Sequence, residues 1–286
     1  MITKKQKRLI VLPVLAVILL ALIIWIVWAN TALELNIYTI KSEKLPKSFS
    51  GFRIAHVSDL HNAQMGEDNE KLLSLLSEAE PDIIAITGDL IDSRVTNTTI
   101  ALQFMKEAMK IAPCYYVTGN HESRVDQYFK LREDLIAIGV VVLEDERIAL
   151  ERGNESISII GVNDPSFQTD YLLGDAEDVM QSKLQKMADE QFYTILLSHR
   201  PELFDIYVEN GINLVLSGHA HGGQFRLPLI GGLVAPNQGF FPEYDAGLYT
   251  NNSTHMIISR GIGNSIIPFR FNNRPEVILI ELVRSS

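Results

Sequence analysis

Phe52-Arg53-Ile54-Ala55-His56-Val57-Ser58-Asp59-Leu60-His61, followed one helix later by Ile83-Ile84-Ala85-Ile86-Thr87-Gly88-Asp89, decides the fold class. Each stretch is a short apolar run that ends in a polar block. Between them Glu70–Ala79 carries Leu72, Leu73, Leu75 and Leu76 at helical spacing, and Pro81 stops it. Strand, helix and strand in this order read as an α/β layered domain. The same alternation continues outward. Ile100–Ile111 and Val125–Ile138 read as amphipathic helices around the strand Tyr115–Thr118, and Gly139 ends the second helix. Val140–Leu143, Ile148–Leu150 and Ile157–Val162 read as consecutive strands. A charged helix near Ala176–Ala188 precedes the strand Tyr193–Leu197, the helix Leu203–Glu209 and the strand Asn213–Leu216. His255–Ser259 and Glu276–Leu282 read as late strands, and Leu33, Leu35 and Ile37 mark an early half-buried one.

Five polar blocks follow five of these strands: Asp59-Leu60-His61, Gly88-Asp89, Gly119-Asn120-His121, Ser198-His199 and Gly218-His219-Ala220-His221. Ligand sites of open α/β sheets collect at the carboxyl ends of strands, so the five blocks are expected to converge. They hold five of the chain's seven histidines, a concentration that random placement does not produce. Carboxylate, imidazole and amide donors without a thiolate suit Mn²⁺, Fe or Zn²⁺. Aspartate and histidine two residues apart at a strand end can chelate one ion. A lone carboxylate behind a glycine, as at Asp89, is suited to bridging two, because glycine lets the backbone approach closely. Two divalent ions against two aspartates leave a positive surplus suited to a phosphate group, and such a pair stabilises attacking and leaving oxygens of an in-line displacement. His121 is then expected to act as general acid.

The ordered set D-x-H, G-D, G-N-H, a lone H and G-H-x-H resembles the calcineurin-like metallophosphoesterase superfamily from Phe52 to His221. His56–His61, Ser198–Glu202, Gly218–Gln224 and Ser259–Pro275 further resemble its small membrane-anchored bacterial phosphodiesterase branch, relatives of UDP-2,3-diacylglucosamine pyrophosphatase. The resemblance implies two mixed β-sheets packed as an α/β sandwich flanked by helices. It implies one metal on Asp59, His61, Asp89 and His221 and a second on Asp89, Asn120, His199 and His219. Gly88-Asp89-Leu90-Ile91-Asp92 resembles the G-D-x-x-D form of protein-phosphatase relatives, which makes Asp92 a candidate catalytic partner of His121; capping a turn or helix is the other reading of Asp92.

Arg200, beside a proposed ligand, is expected to bind substrate phosphate oxygens, and Arg94 is a lesser candidate. His56 and His255 are expected to be structural. Asn163-Asp164-Pro165 follows a strand and could face the substrate, but Asn and Asp before Pro make turns unaided, so the turn reading leads. Gly222–Gly247 is a long Gly- and Pro-rich segment that either walls the metal site and offers apolar surface to an acyl chain or folds over its own apolar residues. Cys114 is the sole cysteine, so no intramolecular disulfide forms, and its apolar surroundings predict a buried, inert thiol.

The first thirty residues are of another kind. Lys4, Lys5, Lys7 and Arg8 are their only charges, and Leu9–Trp28 carries none. As a helix those twenty residues span ~30 Å, enough to cross a bilayer core. The cations on the N-terminal flank place the N-terminus in the cytoplasm and the rest outside, in a single-pass cell-membrane topology. A cleaved signal peptide is the competing reading; its apolar core is shorter, and no small-x-small cleavage site follows Trp28. No arginine pair precedes the span, so a twin-arginine signal is absent. The expected division is therefore a basic tail and anchor over 1–30 and a phosphoesterase domain over 31–286. Without its four N-terminal cations the chain's net charge changes from −10 to −14, which argues against nucleic-acid partners. No obligate protein partner is evident. The expected activity is hydrolysis of a phosphodiester or pyrophosphate bond in an envelope-associated or lipid-linked compound. The alternatives are a phosphomonoesterase, including a protein phosphatase, and a non-catalytic envelope-binding protein on the same fold.

Overall fold

A computed structural model describes residues 4–95, 97–167, 175–264 and 267–285. Residues 1–3 of the basic tail and 265–266 of the Ser259–Pro275 segment lie outside the described residues. Along the chain run α1 (Lys4–Thr31), β1 (Glu34–Ser42), β2 (Phe52–Val57), α2 (Glu70–Glu78), β3 (Ile83–Thr87), α3 (Thr99–Ala108), β4 (Cys114–Val117), α4 (Gln127–Ala137) and β5 (Val141–Val142). There follow β6 (Glu146–Arg152), β7 (Glu155–Gly161), α5 (Ala176–Met187), β8 (Thr194–Leu197), α6 (Phe204–Glu209) and β9 (Leu214–Ser217). Four two-residue strands come next: β10 (Arg226–Leu227), β11 (Gly231–Gly232), β12 (Val234–Ala235) and β13 (Gly239–Phe240). β14 (Gly247–Asn251), β15 (Thr254–Ile258) and β16 (Glu276–Arg284) complete the order.

The strands form two six-stranded mixed sheets, ordered β1-β16-β2-β3-β4-β5 and β14-β15-β9-β8-β7-β6. β2 to β5 are parallel, as are β7, β8, β9 and β15, so each sheet has a parallel centre with reversed strands at its margins. The inner faces meet in one apolar layer that includes Ile54, Ile83 and Val117 from the first sheet and Ile159, Leu197, Leu216 and Ile257 from the second. Each outer face is covered separately. Leu72 and Leu76 of α2, Phe104 of α3 and Leu131 of α4 cover the first sheet; Met180 and Leu184 of α5 and Tyr207 of α6 cover the second. Central strands are therefore buried on both faces, which is why they read as continuous apolar runs. Cys114 is buried in the first of these outer layers, as expected.

β14 was not readable from the sequence. It is an antiparallel edge strand with exposed and half-exposed residues, so its apolar alternation is weak. The Gly222–Gly247 segment is two small hairpins, β10–β11 and β12–β13, rather than an irregular loop. α1 is exposed from Val11 to Trp28 apart from half-buried Ile26, and among the described residues it is the one helix long and apolar enough to cross a membrane.

The inter-sheet layer carries a direct expectation. Ile257→Ala should destabilise the chain by ~2–5 kcal/mol through lost burial and a residual cavity. Glu151→Ala, exposed on β6, should stay within ~0.5 kcal/mol. Denaturation of the detergent-solubilised chain followed by circular dichroism measures both, and equal small effects would contradict this core.

Candidate metal centre

All five polar blocks meet at one end of the sandwich, three from the first sheet and two from the second. Their backbones are close enough to exclude side chains. A Cβ on Gly88 would lie 2.6 Å from Gly119 N, one on Gly119 would collide with Asp89 Oδ1, and one on Gly218 with Ser58 Oγ and Asp59 Oδ2. The glycines before Asp89, Asn120 and His219 thus allow strand ends from both sheets to close on one point. Asp59, His61, Asp89, His219 and His221 all adopt positive φ, from 47 to 66°. Such backbone costs ~1–3 kcal/mol per residue unless its surroundings enforce it, and it clusters at functional sites.

The side chains form two groups that share a carboxylate. Asp59 Oδ1 and His61 Nε2 each stand 3.2 Å from His221 Nε2, and His61 Nε2 is 3.4 Å from Asp89 Oδ2. On the other side His199 Nε2 is 3.3 Å from the same Asp89 Oδ2 and 3.1 Å from His219 Nδ1. These separations match the edges of a coordination shell with bonds of ~2.0–2.2 Å. Asn120 lines the cavity with Asp89, His219 and His221, and its Oδ1 is buried without a hydrogen-bond partner, as an amide reserved for a cation would be. The donor set therefore fits a divalent metal, and the six expected aspartate and histidine ligands lie in the two groups.

Electrostatics point the same way. Burial drives His221 down to about 3 and, with Arg200 and His199 beside it, holds His219 well below the ordinary range, so both rings keep lone pairs. Burial opposes ionisation of Asp59 and Asp89, yet His221 acting on Asp59 and His199 on Asp89 lead the effects that hold both carboxylates below the usual range. Burial likewise opposes charge on His199, but Asp89, Asp59 and Asp164 outweigh it and raise that ring to about 10. Positive charge is favoured between these carboxylates, and a divalent cation supplies it. His199 Nδ1 lies 2.7 Å from Thr87 O, so it donates its proton there and leaves Nε2, facing Asp89, as the atom that would take a cation.

His121 lines a cavity of about 310 Å³ beside the two groups. Ser93 N–H donates to its Nδ1 at 3.0 Å, which puts the proton of the neutral ring on Nε2. Burial lowers the ring's pKa and favours that neutral form. A general acid would need a second proton on Nδ1, the atom Ser93 already occupies, so the general-acid expectation meets an obstacle here. The expected Asp92–His121 hydrogen bond is not formed: Asp92 Oδ1 is 3.7 Å from Nδ1. That carboxylate instead accepts from Arg94 N and from the Arg94 guanidinium, so the turn reading describes its geometry. Arg200 lines the cavity, but Asp164 grips its guanidinium at 2.5 and 2.8 Å, and its Nη1 faces His219 Nε2 at 3.2 Å. It braces a histidine of the second group as well as facing the cavity.

Three supporting residues were missed. Glu122 accepts from Asp89 N, Gly119 N and Ile91 N at 3.0, 2.7 and 3.2 Å, which staples two of the blocks together; burial and the nearby Asp89 raise it to about 7. Its signal was its place directly after G-N-H. Asp164 is the brace for Arg200, and the Asn-Asp-Pro stretch after a strand was its signal. Asn273 donates to His221 O at 2.7 Å and had no signal. His56 is buried, with Nε2 2.7 Å from Thr87 Oγ1, and His255 lies 3.0 Å from Thr250 Oγ1, both outside the cluster. Pro236 and Asn237 of the β12–β13 hairpin wall the cavity.

Comparison with known proteins follows this geometry. Residues 52–223 match the sequence profile described as calcineurin-like phosphoesterase. The chain is 31% identical to the uncharacterized metallophosphoesterase YkuE of Bacillus subtilis over 87% of this chain and 85% of that protein. It is 29% identical to the phosphodiesterase YaeI of Escherichia coli over 81% of this chain and 82% of that one. A Danio rerio transmembrane protein with a metallophosphoesterase domain is 31% identical over 84% of this chain and 55% of its own length. The crystal structure of TT1561 from Thermus thermophilus has a similar fold, with a TM-score of 0.51 at 13% identity over 74% of this chain and 91% of that one.

Gly119→Ala tests the closure on which this centre depends. Pressed against Asp89, the added methyl is expected to lower bound divalent metal well below the parent's content without loss of secondary structure. Elemental analysis beside circular dichroism measures this, and unchanged metal content would refute the argument.

Proposed function

Since the chain belongs to the calcineurin-like metallophosphoesterase family and is a metal-dependent phosphoesterase, we propose that it hydrolyses phosphodiester or pyrophosphate bonds in an envelope-associated or lipid-linked compound, with two divalent ions of manganese, zinc or iron. The observation that carries this reading is the position of Asp89 Oδ2 between two groups of buried donors, 3.4 Å from His61 Nε2 and 3.3 Å from His199 Nε2. In it, Asp59, His61, Asp89 and His221 would hold one ion and Asp89, Asn120, His199 and His219 the other. When bound, the ions neutralise phosphoryl charge and lower the pKa of water. Once that water has lost a proton to solvent, its oxygen forms a new bond to phosphorus, the bond to the leaving oxygen breaks, and negative charge develops on that oxygen until solvent protonates it. His121 Nε2–H donates a hydrogen bond to it, and the Arg200 guanidinium steadies the phosphoryl oxygens from the cavity wall. The diester preference draws on the name of the YaeI relative.

One apolar helix and relatives named as transmembrane proteins suggest membrane anchoring. The cations before the span support a cytoplasmic N-terminus and an extracytoplasmic catalytic domain. A phosphatase reporter that folds only outside the cytoplasm, fused after residue 286, is expected to be active; activity of a cytoplasmic reporter at the same place would reverse the topology.

The reaction is tested with bis-p-nitrophenyl phosphate, p-nitrophenyl phosphate and an alkyl phosphodiester. Faster turnover of diesters than of the monoester is expected, and the opposite order would make the chain a monoesterase. His121→Ala should slow the alkyl diester by ~10²–10³-fold, the scale of one lost donor to a developing oxyanion. His121→Gln keeps an N–H and should lose less. Both should matter less for a p-nitrophenolate leaving group, which departs readily. If glutamine were as damaging as alanine on the alkyl ester, His121 would be a true proton donor and the Ser93 geometry would have misled.

A further inference from the structure

The anchor and the metal centre are joined through one short segment. Arg270 N–H donates to Asn30 Oδ1 at 2.7 Å, and Asn30 Nδ2 returns a bond to Arg270 O at 3.0 Å. Arg274 lies 4.7 Å from the centre of the Trp28 ring and donates to the carbonyls of Ala32 and Leu33. From the same segment Phe271 O accepts from Arg226 N–H at 3.0 Å, at the base of the β10–β11 hairpin, while Asn273 holds His221. Strand register agrees with this. Glu34, at the start of β1, pairs with Glu276, and Ile278 pairs with His56, so α1 leaves the domain at the end where β2 reaches Asp59.

That end also carries unusual apolar exposure. Leu229 at the tip of β10–β11 is fully exposed, and Ile230, Phe240 and Phe241 are 63, 76 and 61% exposed. These residues stand on the two hairpins that begin directly after His221. These four side chains do not fold over one another, whereas Phe225, Leu227, Leu233 and Val234 of the same segment are half-buried. The arginines of this end are engaged within the domain: Arg226 pairs with Asp245, Arg260 with Glu34 and Glu276, and Arg270 is buried. The exposed apolar tip beside a membrane span is what suits a lipid interface. Trp25 and Trp28, side by side in the last turns of α1, mark the boundary level of that bilayer.

We propose that Leu229, Ile230, Phe240 and Phe241 dip into the bilayer that holds α1 and seat the domain with its cavity open to the headgroup layer. The substrate is then a phosphoester in the headgroup of a membrane lipid or lipid-linked compound. Asn237 lines the cavity three residues before Phe240, and at ~3.3 Å per residue the cavity wall lies within ~10 Å of an inserted ring. The phosphate of a headgroup reaches that depth without leaving the membrane. The substrate part of this inference rests on the hydrolytic reading above; the seating rests on the anchor alone.

The test uses the full chain in anionic lipid nanodiscs with one copy per disc. Cys114 is buried and its thiol is pushed up to about 12 by burial, so a nitroxide labels an introduced cysteine selectively. Labels at Leu229→Cys and Phe241→Cys should be relaxed far more by oxygen than by an aqueous nickel chelate, while a label at Glu151→Cys on exposed β6 should show the reverse. In the same discs Leu229→Glu/Phe241→Glu should slow cleavage of a lipid phosphodiester by about tenfold or more, through loss of apolar insertion. The double variant should leave bis-p-nitrophenyl phosphate turnover in solution unchanged. Labels as open to the chelate as the control, or shielded only when two copies share a disc, would overturn the proposal; the second result would assign the surface to self-association. The labels report depth without turnover, so a parent chain that fails on the soluble ester retires the hydrolytic reading and leaves the depth result to decide the seating.

Discussion

Everything at the metal centre depends on the close approach of strand ends from two different sheets. Asp59, Asp89 and Asn120 come from one sheet, and His199, His219 and His221 from the other. Gly88, Gly119 and Gly218 have no room for a Cβ at the meeting point. Bare backbone contact alone would leave buried polar groups unpaired, and Glu122 resolves this by accepting three N–H groups, two of them from Asp89 and Gly119. The positive φ angles of Asp59, His61, Asp89, His219 and His221 are then imposed by the packing of both sheets and not chosen locally. This explains why the inter-sheet layer is built of aliphatic side chains such as Ile54, Ile195 and Leu216. A rigid, close-packed layer beneath the blocks is what fixes their separation.

Charge in the centre is balanced in part by Asp164 and Arg200, which lie outside the expected ligand set. A cluster of buried carboxylates and imidazoles is costly unless each charge meets a partner. Asp164 neutralises Arg200, burial together with the facing Arg200 keeps His219 neutral, and the Thr87 carbonyl fixes the orientation of His199. The remaining negative charge lies on Asp59 and Asp89, between the two donor groups. Local geometry thus distinguishes charges that are already satisfied from those that ask for a cation.

Much of this was legible in the sequence. Buried parallel strands leave continuous apolar runs, so β2, β3, β8 and β9 were found within a residue or so. The blocks that follow them contain residue types that seldom gather by accident. β14 escaped because an edge strand with one solvated face lacks that pattern, and β10 to β13 escaped because two-residue strands have no period to detect. Asp92 shows a different limit. A motif gave its neighbourhood, 3.7 Å from His121, but not which cation would claim its carboxylate, and Arg94 two residues away does so. Asn273 lies fifty-two residues from His221, and no local pattern joins an asparagine to a carbonyl at that distance.

The placement of the anchor follows from one reversal in the first sheet. β16 runs parallel to β1 but antiparallel to β2, so β1 is antiparallel to the whole β2–β5 run. The carboxyl ends of β2, β3 and β4 carry the metal-centre blocks, and the amino end of β1 must therefore lie at that same edge. Had β1 been parallel to β2, α1 would leave the opposite end of the sandwich, far from the cavity. The nine paired residues of β1 and β16 hold this arrangement, and only Ala32 and Leu33 separate α1 from β1, too few to let the domain turn freely. Arg270 and Arg274 then fasten the helix end to the segment that also positions His221. The direction of a single strand thus fixes the end of the sandwich from which α1 leaves, and it is the end that carries the polar blocks.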